Sequence, residues 1–301
     1  MPGAEIPILR HGPVSVYLGE KSGKYPDGNQ VLVRGADTLA AFDTPLVANR
    51  MGDELLAADL VILGHVHEDH MAGLHRLSRA RLQVHEADVA AARSWEGLAR
   101  HYGYRPEVLP GMRKMIEKSF HYAPRPDAQP YADGARWDLG GGVRVTAFHM
   151  PGHTSGHCVL LVEPGGIAFI GDIDLSSFGP YYGDATSSLA QFRRTLEAVK
   201  DVPARIWITS HHKGVVTERE TFLALLAAFG SRLDAREAAI AEYLQARPST
   251  LDELVEHRFV YPKHLQELFF DDAERRVIEQ HLEALAAAGR VVDEGGRCRT
   301  R

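Results

Sequence analysis

The sequence predicts a mixed α/β layered protein with a small helical domain at its C-terminal end, and three observations predict it. Short apolar, β-branched runs bounded by Gly, Pro and Asp recur through residues 1–230. Between some of these runs lie stretches whose apolar residues fall three and four apart, the period of a helix with one buried face. From Arg232 onward the chain reads as helix and closes on a Gly-Gly turn.

The strands are expected at 31–33, 38–42, 60–63, 82–84, 143–148, 159–162, 167–170 and 206–209, each an apolar run short enough to be a buried strand. A helix is expected over 188–200, where Leu189, Phe192, Leu196 and Val199 share a face. In the tail, Ile240, Leu244, Leu251, Leu254 and Val255 are followed by Val277, Ile278, Leu282 and Leu285, then by a turn at Asp293-Glu294-Gly295-Gly296. Three helices and a short hairpin are the order of a winged helix. The expected division is therefore a layered α/β domain over 1–230 and a winged-helix-like domain over 231–301. The segment 87–130 is longer than a simple connection and carries Trp95, Leu98, Tyr102, Tyr104, Met112, Met115, Ile116, Phe120 and Tyr122. It reads either as helices packed on the sheet or as a substrate lid, since long insertions in compact domains are often functional.

Composition excludes several classes. The chain has 301 residues, 45% hydrophobic and 25% charged, which suits a globular protein and leaves no room for a disordered or fibrous one. A net charge of -6 offers no general attraction to nucleic acid or anionic membrane. Cys158 and Cys298 are too few and too far apart for a disulfide framework, as expected of a reducing compartment. The first residues lack the basic and apolar regions of a signal peptide, and no apolar run reaches the roughly 18 residues of a membrane span. The expectation is a cytoplasmic protein without membrane contact, a homodimer being one use for the tail.

The chemistry is concentrated in His65-Val66-His67-Glu68-Asp69-His70, directly after the apolar run at 60–63. Imidazole is a borderline-soft ligand and carboxylate a hard one, a mixture that suits Zn, Fe or Mn better than Ca or Mg. His65 and His67, two apart in extended backbone, would point to one side, while Asp69 and His70 turn toward a second position. Gly73 is read as the residue that lets the chain turn into a helix. Three further candidates each follow an apolar strand: His153 in Met150-Pro151-Gly152-His153, Asp172 in Phe169-Ile170-Gly171-Asp172, and His211 in Trp207-Ile208-Thr209-Ser210-His211. Repeated strand-then-ligand units converge on one cleft when the strands end at one sheet edge.

These residues resemble the metallo-β-lactamase superfamily, whose H-x-H-x-D-H motif His65, His67, Asp69 and His70 match without substitution. The resemblance covers most of 14–214 and implies an αββα sandwich. It implies that His65, His67 and His153 hold a first divalent metal, that Asp69, His70 and His211 hold a second, and that Asp172 bridges them. Zinc is the expected metal, with Fe or Mn as alternatives. Asp43 matches the family's early aspartate, which orients a histidine from behind, and His157 is expected to be structural or to support the ligands. The tail resembles loosely that of a family branch containing endoribonucleases and other hydrolases.

The expected reaction is hydrolysis of an ester-like bond, a lactone, thioester or related small ester, by a hydroxide bridging the metals, with Asp69 as ligand and proton acceptor. Tyr181, Tyr182, His212 and Lys213 are candidate contacts to a small-molecule substrate. Cys158 is expected to be a buried small hydrophobe. Two alternatives remain: a nuclease or phosphodiesterase of the endoribonuclease type, against which the acidic charge stands, and an iron-dependent oxidoreductase on the same fold.

Overall fold

The computed structural model describes residues 5–301. Two sheets form its centre. The first has seven strands in sequential order: β1 (Ile8–His11), β2 (Val14–Tyr17), β3 (Gln30–Arg34), β4 (Leu39–Phe42), β5 (Leu60–Ile62), β6 (Arg81–His85) and β7 (Gln129–Tyr131). The second has six: β8 (Arg136–Gly140), β9 (Val143–His149), β10 (Cys158–Glu163), β11 (Ile167–Phe169), β12 (Ile206–Ile208) and β13 (Val215–Val216), in the order β13-β12-β11-β10-β9-β8. Every strand expected from the sequence is present. The strands not singled out there are short, lie at sheet edges, or carry exposed polar positions, as β1 and β8 do.

The sheets face one another because their inner residues have no other place to bury. Val14, Val31, Val33, Phe42 and Ile62 of the first meet Val145, Leu160, Val162, Phe169 and Ile208 of the second in one apolar layer. Strand β10 is apolar at five consecutive positions and buried at all five, since it is central and covered on both faces. Helices cover the outer faces. On the first sheet these include α3 (Val89–Arg93), α4 (Trp95–Tyr102) and α5 (Leu109–Ser119), after the single turns α1 (Glu20–Gly23) and α2 (Asp53–Leu56). On the second they are α6 (Leu189–Ala198) and the start of α7 (Arg219–Ala246). Ser188 caps α6 by accepting from Gln191 N, which sets the helix start one residue inside the expected range. The architecture is the expected αββα sandwich.

Leu98, Tyr102, Tyr104, Met112, Ile116, Phe120 and Tyr122 are buried in the layer beneath α3 to α5, so most of the 87–130 segment is packing. The expected helix after Gly73 is a single 3-10 turn (Leu74–Arg76). Gly73 has an ordinary negative φ, and its requirement is space: a Cβ there would lie 2.7 Å from the Ala48 side chain.

The tail has α8 (Leu251–His257), α9 (Phe270–Ala287) and the hairpin β14 (Val291–Glu294) and β15 (Arg297–Thr300). Thr250 and Glu253 form a reciprocal capping box at the start of α8. The division expected at residue 230 falls inside α7, which continues unbroken. Phe222, Leu226, Phe229 and Leu233 of that helix pack on the second sheet, whereas Ile240 and Leu244 pack with Leu254, Ile278 and Leu285. One helix with two successive partners joins the two units. No helix among the described residues is long and apolar enough to cross a membrane.

The contact that fastens α7 to the sheet is the stack of Phe222 on Trp207, 4.3 Å between centroids and 4° between planes. Phe222→Ala is expected to lower unfolding stability by about 3–5 kcal/mol, read from urea denaturation. A loss below about 1 kcal/mol would show that the helix is held elsewhere.

Candidate metal centre

Strand direction brings the candidates together. β4, β5 and β6 are mutually parallel; β11 is parallel to β12, and both run in the direction of β9 because β10 is antiparallel to both β9 and β11. Asp43 follows β4, the His65–His70 run follows β5, His153 follows β9, Asp172 follows β11 and His211 follows β12. All lie at C-terminal strand ends along one edge of the sandwich. Gly171 is required there: its φ is +55°, and a Cβ would lie 2.6 Å from His157 Nε2.

Two groups of inward-facing atoms result. In the first, His153 Nε2 is 3.1 Å from His65 Nε2 and 3.0 Å from His67 Nδ1, with Asp172 Oδ2 3.3 Å away. In the second, His211 Nε2 is 3.2 Å from Asp69 Oδ2 and 3.4 Å from His70 Nε2, which is itself 3.7 Å from Asp69 Oδ2. The other Asp172 oxygen, Oδ1, is 3.2 Å from His70 Nε2 and 3.5 Å from His211 Nε2. One carboxylate thus divides its two oxygens between the groups.

The donor set fits divalent cations. Ligand nitrogens on a tetrahedral zinc at 2.0–2.1 Å are about 3.3 Å apart, close to the spacing seen in each group. Asp172 Oδ1 is buried, and among the described residues only the His70 and His211 Nε2 atoms face it, without a hydrogen bond of good geometry, a cost that a cation would remove. Among the described residues four atom groups of this kind could hold an ion, and two of them are His65, His67, His153 with Asp172 and Asp69, His70 with His211. The seven residues expected from the sequence are therefore brought together in two adjoining groups.

Four of the five histidines have an anchored rear nitrogen, which fixes those rings; His65 Nδ1 has no hydrogen-bond partner among the described residues. His153 Nδ1 faces the Tyr181 carbonyl at 3.0 Å, and His211 Nδ1 faces those of Gly23 and Asp27 at 2.8 and 2.9 Å. A carbonyl only accepts, so each Nδ1 carries a proton, and Nε2 is the nitrogen turned inward, toward the position a metal would take. His70 Nδ1 is 2.7 Å from Asp43 Oδ2, while Asp43 Oδ1 accepts from Gly64 N at 2.7 Å. His67 Nε2 is 2.7 Å from Asp184 Oδ2. Asp43 holds φ +50°, a backbone state that aspartate tolerates better than most residues.

Burial and charge oppose one another here. Burial depresses His153 to about 3 and His157 to about 4. Burial also disfavours the His67 and His211 cations. The Asp184 hydrogen bond nonetheless holds His67 up to about 9, and Asp172 with Asp69 holds His211 up to about 10. Positive charge is thus drawn to each group of ligand atoms.

The remaining expectations divide. His157 Nδ1 is 3.0 Å from the Met150 carbonyl, and its Nε2 accepts from Asp172 N at 3.2 Å, supporting the bridging loop from behind. Cys158 is fully buried at the start of β10, its thiol pushed up to about 12 by burial. Tyr181 lies beside His153 and His67, with its hydroxyl donating to Asp184 Oδ1 at 3.0 Å. His212 is half-buried at φ +60°, 3.8 Å from Asp174, and Lys213 is exposed beside it. Tyr182 must be corrected as a substrate contact. Its side chain is completely buried, with its hydroxyl 2.8 Å from His281 Nε2 and 3.3 Å from Arg236 Nη1, because the loop turns alternate residues inward and outward.

Several residues that matter were not identified in the sequence. Asp184 holds His67 and also accepts from Tyr104 Oη at 2.7 Å. Asp88 is fully buried and receives Thr154 Oγ1 at 2.7 Å, Gly156 N at 2.8 Å and Val66 N at 3.3 Å, tying the His65–His70 loop to the His153 loop. Glu68 accepts from Tyr102 and Tyr25. Lone acids in loops gave no periodic or motif signal, although Asp184 ends the same Tyr-rich loop that drew attention to Tyr181. The tail also contributes: Arg236 donates to the Pro180 and Phe178 carbonyls at 2.5 and 2.7 Å, and Gln280 bonds Tyr182 O and Leu189 N. The loop carrying Asp172, Tyr181 and Asp184 is therefore pinned from behind by α7 and α9.

Residues 32–226 match the family model of the metallo-beta-lactamase superfamily. A Beta-lactamase-like protein 2 homolog of Drosophila melanogaster is 24% identical over 255 residues, covering 83% of this chain and 77% of that protein. A metallo-beta-lactamase family protein from Thermus thermophilus aligns over 100% of this chain and 99% of its own at 23% identity, with a TM-score of 0.67. A Beta-lactamase domain protein from Burkholderia ambifaria also has a TM-score of 0.67, at 18% identity over 99% and 97% of the two chains. Both structural matches span the tail as well as the sandwich.

Asp184→Ala removes the anchor of His67 while leaving all seven inward ligands. Zinc affinity is expected to fall about 10–100-fold, measured by competition with a chromophoric chelator, with the circular dichroism spectrum unchanged. Unchanged affinity would remove Asp184 from the centre.

Proposed function

The chain belongs to the metallo-β-lactamase superfamily, and from that premise we propose that it hydrolyses a lactone, thioester or related small ester at a dinuclear centre, with zinc as the first choice of metal. His65, His67 and His153 would hold one cation, Asp69, His70 and His211 the other, and Asp172 would belong to both. The observation that carries this reading is the division of Asp172, Oδ2 toward His153 and Oδ1 toward His70 and His211. When bound, two such cations lower the pKa of water toward neutrality and polarise the oxygen of the bond attacked.

The chain's own groups do the rest. Burial would raise the Asp69 pKa, but His70 and His211 hold it below the ordinary carboxylate value, so Asp69 enters the reaction charged. It takes a proton from the attacking water and returns it to the leaving group. Tyr181 and Asp184 keep the His153 and His67 rings from rotating, which preserves the alignment on which the rate depends. Lys213 and His212 follow His211 directly in the chain, and we propose that they meet a leaving group with negative charge. Uncharged ester substrates are favoured over nucleic acid by the overall charge of -6.

A panel of acetyl thioester, γ-lactone and bis-p-nitrophenyl phosphate tests this reading. Zinc-dependent turnover of the thioester or lactone is expected, with Asp69→Asn lowering kcat roughly 10²–10⁴-fold. Turnover of the phosphodiester alone would sink it.

A further inference from the structure

Tyr102 and Tyr104 stand on either side of Gly103, which ends α4 at φ +64°. A Cβ at Gly103 would lie 2.3 Å from the Ala185 Cβ, next to Asp184, and Ala185 N donates to Tyr102 O at 2.9 Å. The turn after α4 is thus seated directly on the loop that carries Asp184. Both tyrosines are buried, and each hydroxyl serves one acid beside the ligands. Tyr102 donates to Glu68 Oε2 at 2.5 Å, and Tyr104 donates to Asp184 Oδ1 at 2.7 Å.

The rings themselves form a column. His67 and Tyr102 are 5.9 Å apart between centroids and 2° apart in plane, Tyr102 and Tyr104 are 5.3 Å and 12° apart, and Tyr104 and Phe269 are 5.9 Å and 11° apart. Four rings in offset stacking, a favourable aromatic arrangement, therefore run without a break from a ligand of the first group to the tail. Among the described residues Phe269 is the one from beyond residue 231 that packs against the buried cluster on the outer face of the first sheet. The same end of α9 holds the turn a second time, Asp272 accepting from Arg105 N at 3.2 Å and from Arg105 Nε at 2.5 Å. His67 is clamped in consequence by Tyr102 on its face and by Asp184 Oδ2 at Nε2, 2.7 Å away, and Tyr104 touches both clamps. The first group leans on this ring, because His65 Nδ1 has no hydrogen-bond partner among the described residues and His153 Nδ1 faces a single carbonyl.

We propose that Phe269 of the tail is a positioning residue for the first metal position, acting through Tyr104 and Tyr102 on the ring of His67. A close-packed interior passes a displacement from one side chain to the next, so removal of the Phe269 ring lets Tyr104 tilt and loosens both clamps on His67. The second group stands outside the column: His70 is held by Asp43, and His211 by the Gly23 and Asp27 carbonyls. The effect is therefore confined to the first position. The proposal rests on the reading of the centre as two metal positions.

The test uses the full chain and two substitutions, Phe269→Leu, which keeps an apolar side chain and removes the ring, and Phe269→Tyr, which keeps the ring. Each is made in two backgrounds, His211→Ala, which leaves the first group as the zinc site, and His153→Ala, which leaves the second. Zinc affinity, by competition with a chromophoric chelator, is expected to fall roughly tenfold for Phe269→Leu in the first background, the low end of what loss of a group behind a ligand costs. It is expected to hold for Phe269→Leu in the second background and for Phe269→Tyr in both, with the circular dichroism spectrum unchanged throughout. A second readout needs no metal. In the metal-free chain with isotope-labelled histidine, the His67 Nε2 proton, identified by its loss in His67→Ala, is expected to shift in Phe269→Leu and to keep its position in Phe269→Tyr. Equal loss of affinity in both backgrounds, unchanged affinity in the first, or an unmoved His67 proton would overturn the positioning role. Failure of the two-position reading shows differently: neither background retains zinc, yet the His67 proton still moves in Phe269→Leu.

Discussion

Five histidine rings are crowded so that their inward nitrogens lie 3.0–3.4 Å apart, and much of the surrounding structure can be understood as the means of holding them there. Rotation of a ring would take its nitrogen out of the cluster, and four of the five are restrained from behind. His67 is held by Asp184, His70 by Asp43, His153 by the Tyr181 carbonyl and His211 by those of Gly23 and Asp27. These restraints are themselves restrained. Asp88 joins the two loops that carry His65 to His70 and His153, and Arg236, Gln280 and His281 grip the loop that carries Asp172 and Asp184.

That arrangement changes the meaning of the tail. As sequence, 231–301 looked like a separate winged-helix-like domain, with a homodimer as one use for it. In the structure α7 is continuous through the expected division, and Arg236 lies on it beyond that point. Buried side chains of the tail satisfy backbone carbonyls of the catalytic loop, a role that costs stability if either side is removed. Support for the loop that carries Asp172 and Asp184 is thus a consequence of this docking.

Much of the site was legible because its ligands obey local rules. Each follows an apolar strand, and strand ends at a single edge are forced into proximity by the parallel pairs β4, β5, β6 and β11, β12. The residues behind the ligands were not legible. Asp88 and Asp184 are single acids in loops, and which histidine or amide each serves depends on contacts 66 and 117 residues away in sequence. Tyr181 and Tyr182 show the same limit at closer range: adjacent and identical in type, one faces the centre and the other the tail, because backbone direction in the loop separates them. In the same way the apolar content of 87–130 was evident, while its distribution between packing and the site depended on tertiary placement.

The central claim is that the two ligand sets hold two ions through a shared Asp172. Zinc content per chain, measured by mass spectrometry on reconstituted and dialysed protein, tests it most directly when wild type is compared with His153→Ala, His211→Ala and Asp172→Ala. The account predicts two ions in wild type, about one in each histidine variant, and weakened retention of both in Asp172→Ala. A single ion in wild type, unaffected by His211→Ala, would contradict it.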